Sequence, residues 1–131
     1  MTRVQRRPQV TPPFQDQHGK CCWCGGPLKG KQQRWCGKDC VDTYLIAKGD
    51  QGRARSLLHK RDAGKCAICC TTPDERKSAG ITMTWDADHT VPIVEGGALA
   101  MSNLRTLCTP CHRAETRALA ARRAEARRAG K

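Results

Sequence analysis

Three side chains whose chemistry suits hydrolysis stand close together in one short segment of the chain. Asp88 and His89 are adjacent, and His112 follows after a loop and a second apolar run. A carboxylate and an imidazole offer one oxygen and one nitrogen to a divalent ion and leave positions open for water and substrate. Such an ion can neutralise both the oxygens and the leaving alkoxide of a phosphodiester. The residues therefore indicate metal-assisted phosphodiester chemistry, with Asp88 and His112 as ligands.

Two further residues complete the candidate catalytic set. His89 need not share the ion of Asp88, because neighbouring strand residues point to opposite faces. An unperturbed imidazole has a pKa of about 6.5, which suits a general base that takes a proton from the attacking water. Asn103 cannot exchange protons, so its amide is expected to bridge the backbone across the loop and hold two strands in register.

The elements that must position these residues can be read from local patterns. Residues 81–88 alternate in polarity and are rich in β formers, which predicts a strand ending at the two adjacent candidates. Gly96 and Gly97 predict a loop, followed by a second short strand. A helix is predicted from residue 108 to about 128, with the second imidazole in its first turn. The polar residues 71–80 predict a surface loop.

Ten cysteines in a chain this small raise the choice between disulfides and zinc. No apolar segment follows Met1, so secretion through a cleaved signal is not expected, and C-x-x-C pairs in a reducing compartment favour zinc. Spacing predicts two closed sites that each take a structural zinc ion. The first contains Cys21, Cys24, Cys36 and Cys40, and the second contains Cys66, Cys69, Cys108 and Cys111.

Two cysteines remain outside these groups. Cys22 competes with Cys21 for the first site, although the spacing Cys22-x-Cys24 is short for a zinc knuckle, so Cys21 is preferred and both remain open. Cys70 follows the second knuckle, where a glycine is common, and is expected to be a free thiol or a packing residue.

The residues between the two cysteine groups are helical in character. Gly49 and Gly52 predict two helices with a break within residues 41–62. Their large apolar side chains are expected in a core: Tyr44, Leu45, Leu57 and Leu58. His59 has no carboxylate or cysteine at ligand spacing, so it is expected to pack or to lie on the surface.

Composition limits the core and indicates the partner. Only 38% of the residues are hydrophobic, so a large apolar core is not expected and the zinc ions must contribute to folding. Twenty-four Lys and Arg against twelve Asp and Glu give a net charge of +12, which favours a polyanion such as DNA. No run is long enough for a membrane span and no small-molecule cofactor is expected. We expect an intracellular location, in the cytoplasm or nucleoid, or in the host cytoplasm if the source is a bacteriophage.

Basic residues concentrate at the two ends of the chain. Residues 1–19 contain several arginines and prolines and little to bury, which predicts a flexible basic arm. The helix that follows the last cysteine is rich in alanine and arginine and predicts a surface that contacts phosphates, although a merely solvated helix has the same composition. The expected DNA contacts are Arg105, Arg113, Arg117, Arg122 and Arg123.

The motifs from residue 65 to about 117 resemble the HNH endonuclease family of ββα-metal nucleases. The matching features are Asp88-His89-x-x-Pro92, Gly96-Gly97, Asn103-Leu104-x-x-Leu107-Cys108-x-x-Cys111-His112 and the upstream Cys66-x-x-Cys69. The resemblance implies an α+β fold, with the general base, metal ligands and structural amide at the positions proposed above. The catalytic ion is expected to be Mg²⁺ or Mn²⁺, with Ni²⁺ or Zn²⁺ as alternatives.

A small cysteine finger ahead of this segment is similar to the arrangement in annealing helicases that carry a zinc-finger Ran-binding domain and an HNH domain. The expected organisation has five parts: an arm at 1–19, a four-cysteine zinc finger at 20–48, a helical linker at 49–64, the HNH nuclease domain at 65–117 and a basic helical tail at 118–131. The oligomeric state does not follow from the sequence.

Two other classes of function compete with the nuclease. One is a catalytically inactive zinc-finger module that binds DNA, in which the segment is only a remnant of the fold. The other is a C-x-x-C redox protein, which would have reactive, partly exposed thiols in place of bound metal. The presence of Asp88, His89 and His112 together favours the enzyme, because a structural segment has no need for all three.

Overall fold

The computed structural model describes residues 10–130, so the arginines of the predicted arm at positions 3, 6 and 7 lie outside the described residues. Its elements are four helices, α1 (Lys38–Ala47), α2 (Gln51–Asp62), α3 (Pro73–Ser78) and α4 (Thr109–Ala129), and two strands, β1 (Trp85–His89) and β2 (Leu104–Cys108). Single 3₁₀ turns at Ile93–Glu95 and Met101–Asn103 lie between the strands. The predicted α+β class is confirmed. Among the described residues, no helix is long and apolar enough to cross a membrane.

The first zinc knuckle, from Cys21 to Gly26, is a tight turn, and glycine occupies the position that a neighbouring side chain crowds. The N–H of Cys21 donates to the carbonyl of Gly26, and the N–H of Gly25 donates to the carbonyl of Cys21. Gly25 has a φ of +74°, and a Cβ there would meet the ring of Phe14 at 3.0 Å. The N–H of Phe14 also donates to the carbonyl of Cys22 at 2.8 Å, so the chain just ahead of the knuckle lies against it.

The break between α1 and α2 occurs where the two glycines predicted it. Gly49 has a φ of +87°, a left-handed conformation that favours glycine, and the side chain of Asp50 caps α2 by accepting from the N–H of Arg53. The main apolar cluster joins these helices to the sheet through Ile46, Ala54, Leu58, Trp85 and Leu104, with Leu57 packed against it. Tyr44 is half-buried between two tryptophans, with its ring centroid 5.1 Å from that of Trp35 and 6.2 Å from that of Trp23.

The predicted surface loop at residues 71–80 is wrong, because α3 occupies most of it. Thr72 caps this helix by accepting from the N–H of Glu75, and Pro73 occupies its first turn. Arg76 is buried, and its guanidinium donates to the carbonyls of Gly64, Thr71 and Met83. The guanidinium that α3 contributes therefore joins the segments before and after this helix by binding three of their carbonyls.

The sheet is a single antiparallel pair, and β1 begins later than residue 81. Trp85 pairs with Cys108 and His89 pairs with Leu104. Residues 81–84 have no partner strand, because β2 ends at Cys108 and α4 begins at the next residue. Ile81 and Met83 are accordingly exposed. The helix predicted from residue 108 is confirmed as α4.

Candidate nuclease site

Strand alternation divides β1 between two neighbours. Trp85 and Ala87 pack into the apolar cluster formed with α2, whereas Asp86 and Asp88 reach His112 in the first turn of α4. This division follows from the two-residue period of a strand. The α4 helix starts directly after β2, so its first turn lies beside the sheet. The predicted convergence of Asp88 and His112 is therefore present.

Asp88 and His112 are spaced so that one ion can lie between them. The Oδ1 atom of Asp88 is 3.9 Å from Nε2 of His112, and the two side chains are 18% and 35% exposed. Metal bonds to oxygen and nitrogen of about 2.0–2.2 Å can bridge a gap of this size. The pair thus fits a divalent ion and leaves most of its coordination positions to water or substrate.

His89 lies next to this pair but belongs to a different strand face. Together with His112 it borders two grooves, of about 530 Å³ and about 280 Å³. The larger groove continues towards α2 and includes Asp86, whereas the smaller one continues towards α4 and includes Asp88. The imidazole of His89 is therefore accessible from both grooves.

Asn103 bridges the loop as its predicted role requires. Its Oδ1 accepts from the N–H of Val91 at 2.9 Å, and its Nδ2 donates to the carbonyls of Val91 and Ala98 at 3.0 Å and 2.9 Å. Its own carbonyl accepts from the N–H of Thr90 at 2.8 Å. Asn103, which directly precedes β2, therefore fixes the segment that follows His89 at the end of β1.

Arg105, an expected DNA contact, has two carboxylate partners. Its Nε lies 2.9 Å from Oδ2 of Asp88, its cross-strand neighbour, and its Nη2 lies 3.4 Å from Oε2 of Glu115. The contact occupies one oxygen of Asp88 and leaves the other directed at His112. Sequence reasoning missed this pairing, because it becomes visible only once the strand register is known.

The other expected DNA contacts lie along α4 and are exposed: Arg113, Arg117, Arg122 and Arg123. Arg122 lies 2.8 Å from Glu95, which ties the helix to the loop between the strands. Arg122 also borders the smaller groove together with Asp88 and His112, whereas Arg113, Arg117 and Arg123 do not line it. They form an extension of the site, on the helix that carries His112.

Two groups of four thiols lie within metal-binding distance, as the spacing predicted. The finger cluster contains Cys21, Cys24, Cys36 and Cys40, and the clamp cluster contains Cys66, Cys69, Cys108 and Cys111. Neighbouring sulfurs are 3.5 to 3.7 Å apart. A tetrahedral zinc site with Zn–S bonds of about 2.3 Å needs roughly this spacing. Both groups could therefore hold zinc.

Cys21, and not Cys22, belongs to the finger cluster. Cys22 is buried, and its backbone joins the knuckle to its surroundings by donating to the carbonyl of Arg34. Cys70 is exposed and has a φ of +63°, the left-handed conformation in which glycine is common. All ten cysteines lie in the described part of the chain, and none of them forms a disulfide.

The thiols within each cluster differ in pKa. Burial of Cys66 raises the pKa of its thiol, but backbone hydrogen bonds from Cys108, Cys69 and Ile68 outweigh this effect and lower the pKa to about 6. Burial and the neighbouring thiols raise the pKa of Cys111 to about 12. The same division occurs in the finger cluster, where the pKa of Cys21 is lowered to about 6 and that of Cys40 is raised to about 12. Each cluster therefore contains one thiol whose pKa is lowered to about 6, and the hydrogen bond with Thr71 also lowers the pKa of Cys69. Zinc must displace the protons of the remaining thiols.

Comparisons with known proteins found a family match and similar proteins. Residues 66–118 match the HNH endonuclease family. The chain is 28% identical over 117 residues to the DNA annealing helicase and endonuclease ZRANB3 of Mus musculus, an alignment that covers 88% of this chain and 10% of that protein. It is 42% identical over 117 residues to the ZRANB3 protein of Bos taurus, with the same coverage. No solved structure matches the chain.

The chain spans about a tenth of the length of these curated relatives, so the similarity concerns one region of much larger proteins. The family match begins at the first clamp cysteine and extends beyond His112, so it includes Asp88, His89, Asn103 and His112. The resemblance to the HNH endonuclease family is thus confirmed as a match over residues 66–118.

Proposed function

We propose that this protein is a metal-dependent endonuclease that hydrolyses phosphodiester bonds in DNA. The observation that carries the proposal is the approach of Asp88 to His112 at 3.9 Å beside an accessible His89. The endonuclease named in the relatives supports the same class of reaction. Asp88 and His112 would hold a divalent ion, which would neutralise the phosphate and the departing oxygen when bound.

The residues of the chain have separable roles in this reaction. His89 removes a proton from water, the resulting hydroxide attacks phosphorus, and one bridging P–O bond breaks as the oxygen leaves with its electron pair. Asn103 keeps the loop after β1 fixed, so that the imidazole stays aligned with the attacking water. Arg105 holds Asp88 in place through one oxygen and contributes positive charge beside the phosphate.

The arginines of α4 are proposed to hold the DNA backbone. Phosphate contacts supply affinity that is independent of sequence and decreases with salt. The charge of +12 agrees with this role, and the arginines project from the helix that carries a metal ligand. The proposal therefore separates cutting, which occurs at the sheet, from holding, which occurs along the helix.

A plasmid-nicking assay with Mg²⁺ or Mn²⁺ tests the function. We expect the zinc-loaded protein to nick supercoiled plasmid, and His89→Ala to reduce the rate by about 10² to 10⁴-fold, the usual contribution of a general base. His18→Ala, at an exposed histidine outside the family match, serves as the matched control and should cut normally.

Cleavage by His89→Ala at the wild-type rate would refute the proposed mechanism. Intact plasmid with every divalent ion tried, combined with retained DNA binding, would favour the inactive DNA-binding module instead.

A further inference from the structure

The ring of His112 lies between two carboxylates of the same strand. Its Nε2 is 3.9 Å from Oδ1 of Asp88, and its Nδ1 is 3.4 Å from Oδ2 of Asp86. The two aspartates are two residues apart in β1, so they share a face of the strand. Asp86 has no role in the ligand set proposed above, and its side chain is 45% exposed.

The two nitrogens of a neutral imidazole cannot have the same role. One carries a hydrogen and donates, and the other has a lone pair that can bind a metal. An ionised carboxylate only accepts, and Asp86 lies closer to Nδ1, at 3.4 Å, than Asp88 lies to Nε2, at 3.9 Å. Asp88 also accepts from Arg105, so the form of His112 with hydrogen on Nδ1 is favoured. That form leaves the lone pair on Nε2, the nitrogen that faces Asp88.

We propose that Asp86 is a positioning residue that holds the metal ligand His112. Its carboxylate accepts from the Nδ1–H group and keeps Nε2 directed towards Asp88. Carboxylates that hold a metal-binding histidine in this way typically contribute 10 to 100-fold in metal affinity. The inference rests on the proposed function, because it assigns Asp86 to the ion that Asp88 and His112 would share.

The directions of the two nitrogens argue against Asp86 as a third ligand of the same ion. Nδ1 and Nε2 diverge from the ring, so an ion between Nε2 and Asp88 lies away from Asp86. Within residues 10–130, the two aspartates are the carboxylates paired with this ring. Asp86 therefore acts through His112.

The test combines metal titration with the state of the ring, using the full chain with both zinc clusters loaded. We expect Asp86→Ala to weaken Mn²⁺ binding by about 10 to 100-fold in calorimetry. In ¹⁵N spectra of the metal-free site, hydrogen on the His112 ring should shift from Nδ1 towards Nε2. Asp86→Asn, whose amide oxygen still accepts, should keep the Nδ1–H form and lose less affinity.

Controls separate this effect from lost charge or lost fold. Glu125→Ala removes an exposed carboxylate several turns further along α4 and should leave both measurements unchanged. His112→Gln identifies the ring signal among the four histidines. Unchanged zinc content and circular dichroism show that each variant is folded.

The inference is overturned if Asp86→Ala keeps the Nδ1–H form, if its Mn²⁺ affinity stays within about twofold of wild type, or if the wild-type protein binds no Mn²⁺ beside its zinc. A protein whose Mn²⁺ affinity and ring form depend on Asp86, but which leaves DNA intact, would refute the proposed function and retain the inference. A protein that cuts DNA without dependence on Asp86 would do the reverse.

Discussion

The finger cluster and the clamp cluster use the same four thiols but close different lengths of chain. The finger cluster joins residues between Cys21 and Cys40, around one knuckle and the start of α1. The clamp cluster joins the knuckle at Cys66 to the end of β2 and the start of α4, with α3 and the whole sheet between them. Equal ligands therefore stabilise a local turn in one region and a tertiary closure in the other.

The thiols of the two clusters also differ in burial. Cys66 and Cys108 form an apolar cluster with Leu107, which is fully buried, and Cys111 packs against it. In the finger cluster only Cys21 is buried, and the other three thiols are partly or fully exposed. The clamp cluster is thus part of the core beneath the candidate site, whereas the finger cluster organises a surface module.

The largest expected difference in cleavage is between two variants, each of which lacks one cysteine of a different cluster. Cys108→Ser should lose the clamp zinc, unfold residues 65–117 and reduce cleavage by at least about 10³-fold, because a structural zinc contributes about 10–16 kcal/mol, comparable to the stability of a whole domain. Cys36→Ser should also lose one zinc but keep cleavage within about tenfold. Zinc analysis, thermal melting and plasmid nicking measure the difference. Equal loss of cleavage in both variants would contradict the distinction.

A smaller effect is expected within the segment that the clamp closes. A Cβ at Gly97 would overlap the carbonyl of Val91 and approach Nδ2 of Asn103, so Gly97→Ala must displace the loop after β1. We expect cleavage to fall by about 10²-fold, the cost of a small misplacement of catalytic groups.

Both zinc ions should remain bound in this variant. Gly37→Ala is the control, because a Cβ there meets nothing within 4 Å. Loss of zinc in Gly97→Ala would contradict the prediction, because it would show that the loop after β1 affects metal binding by the clamp cluster.

The smallest effect is expected at the contact between α2 and the sheet. Asp62 accepts from the hydroxyl of the buried Thr106 at 2.8 Å and from the guanidinium of Arg61. Asp62→Asn should lower the free energy of unfolding by about 1–3 kcal/mol at pH 7, because it removes a charged partner from these donors. Cleavage at 25 °C should not change.

The pKa of Asp62 gives this effect a pH dependence. The hydrogen bond from Arg61 lowers that pKa, burial opposes the shift and Thr106 adds to it. A lowered pKa in the folded protein gives stability that is present above the ordinary value of 3.8 and is lost as the pH falls through the folded value. Chemical denaturation should therefore show a constant difference between wild type and variant from pH 7 to about 5, and a shrinking one below about 4. Asp16→Asn, at an exposed carboxyl, should show no such difference.

Much of this architecture was predictable because its signals are local. The C-x-x-C spacings predicted both clusters, and the glycines around Asp50 predicted the break between α1 and α2. The sequence Thr72-Pro73-Asp74-Glu75 also contains a helix start, with a capping threonine and a proline in the first turn, which a reading of residues 71–80 as polar loop overlooked.

Other features depend on pairing that no local pattern contains. The start of β1 is set by the end of its partner at Cys108, and Arg105 meets Asp88 only through the strand register. The contact of Asp86 with His112 requires the position of α4 as well. The burial of Arg76 needs three carbonyls from the two segments that flank α3, so composition gives no sign of it.

Because α4 is uninterrupted, it sets the distance between His112 and the last arginines of the helix. The helix begins one residue after Cys108, carries His112 in its first turn and continues to Ala129. At 1.5 Å per residue, Arg127 lies about 22 Å from His112 along the axis. That distance corresponds to no more than about seven base-pair steps of 3.4 Å. Under the proposed function, α4 is a rigid spacer, and the backbone that it protects should end within about seven base pairs of the cut on that side.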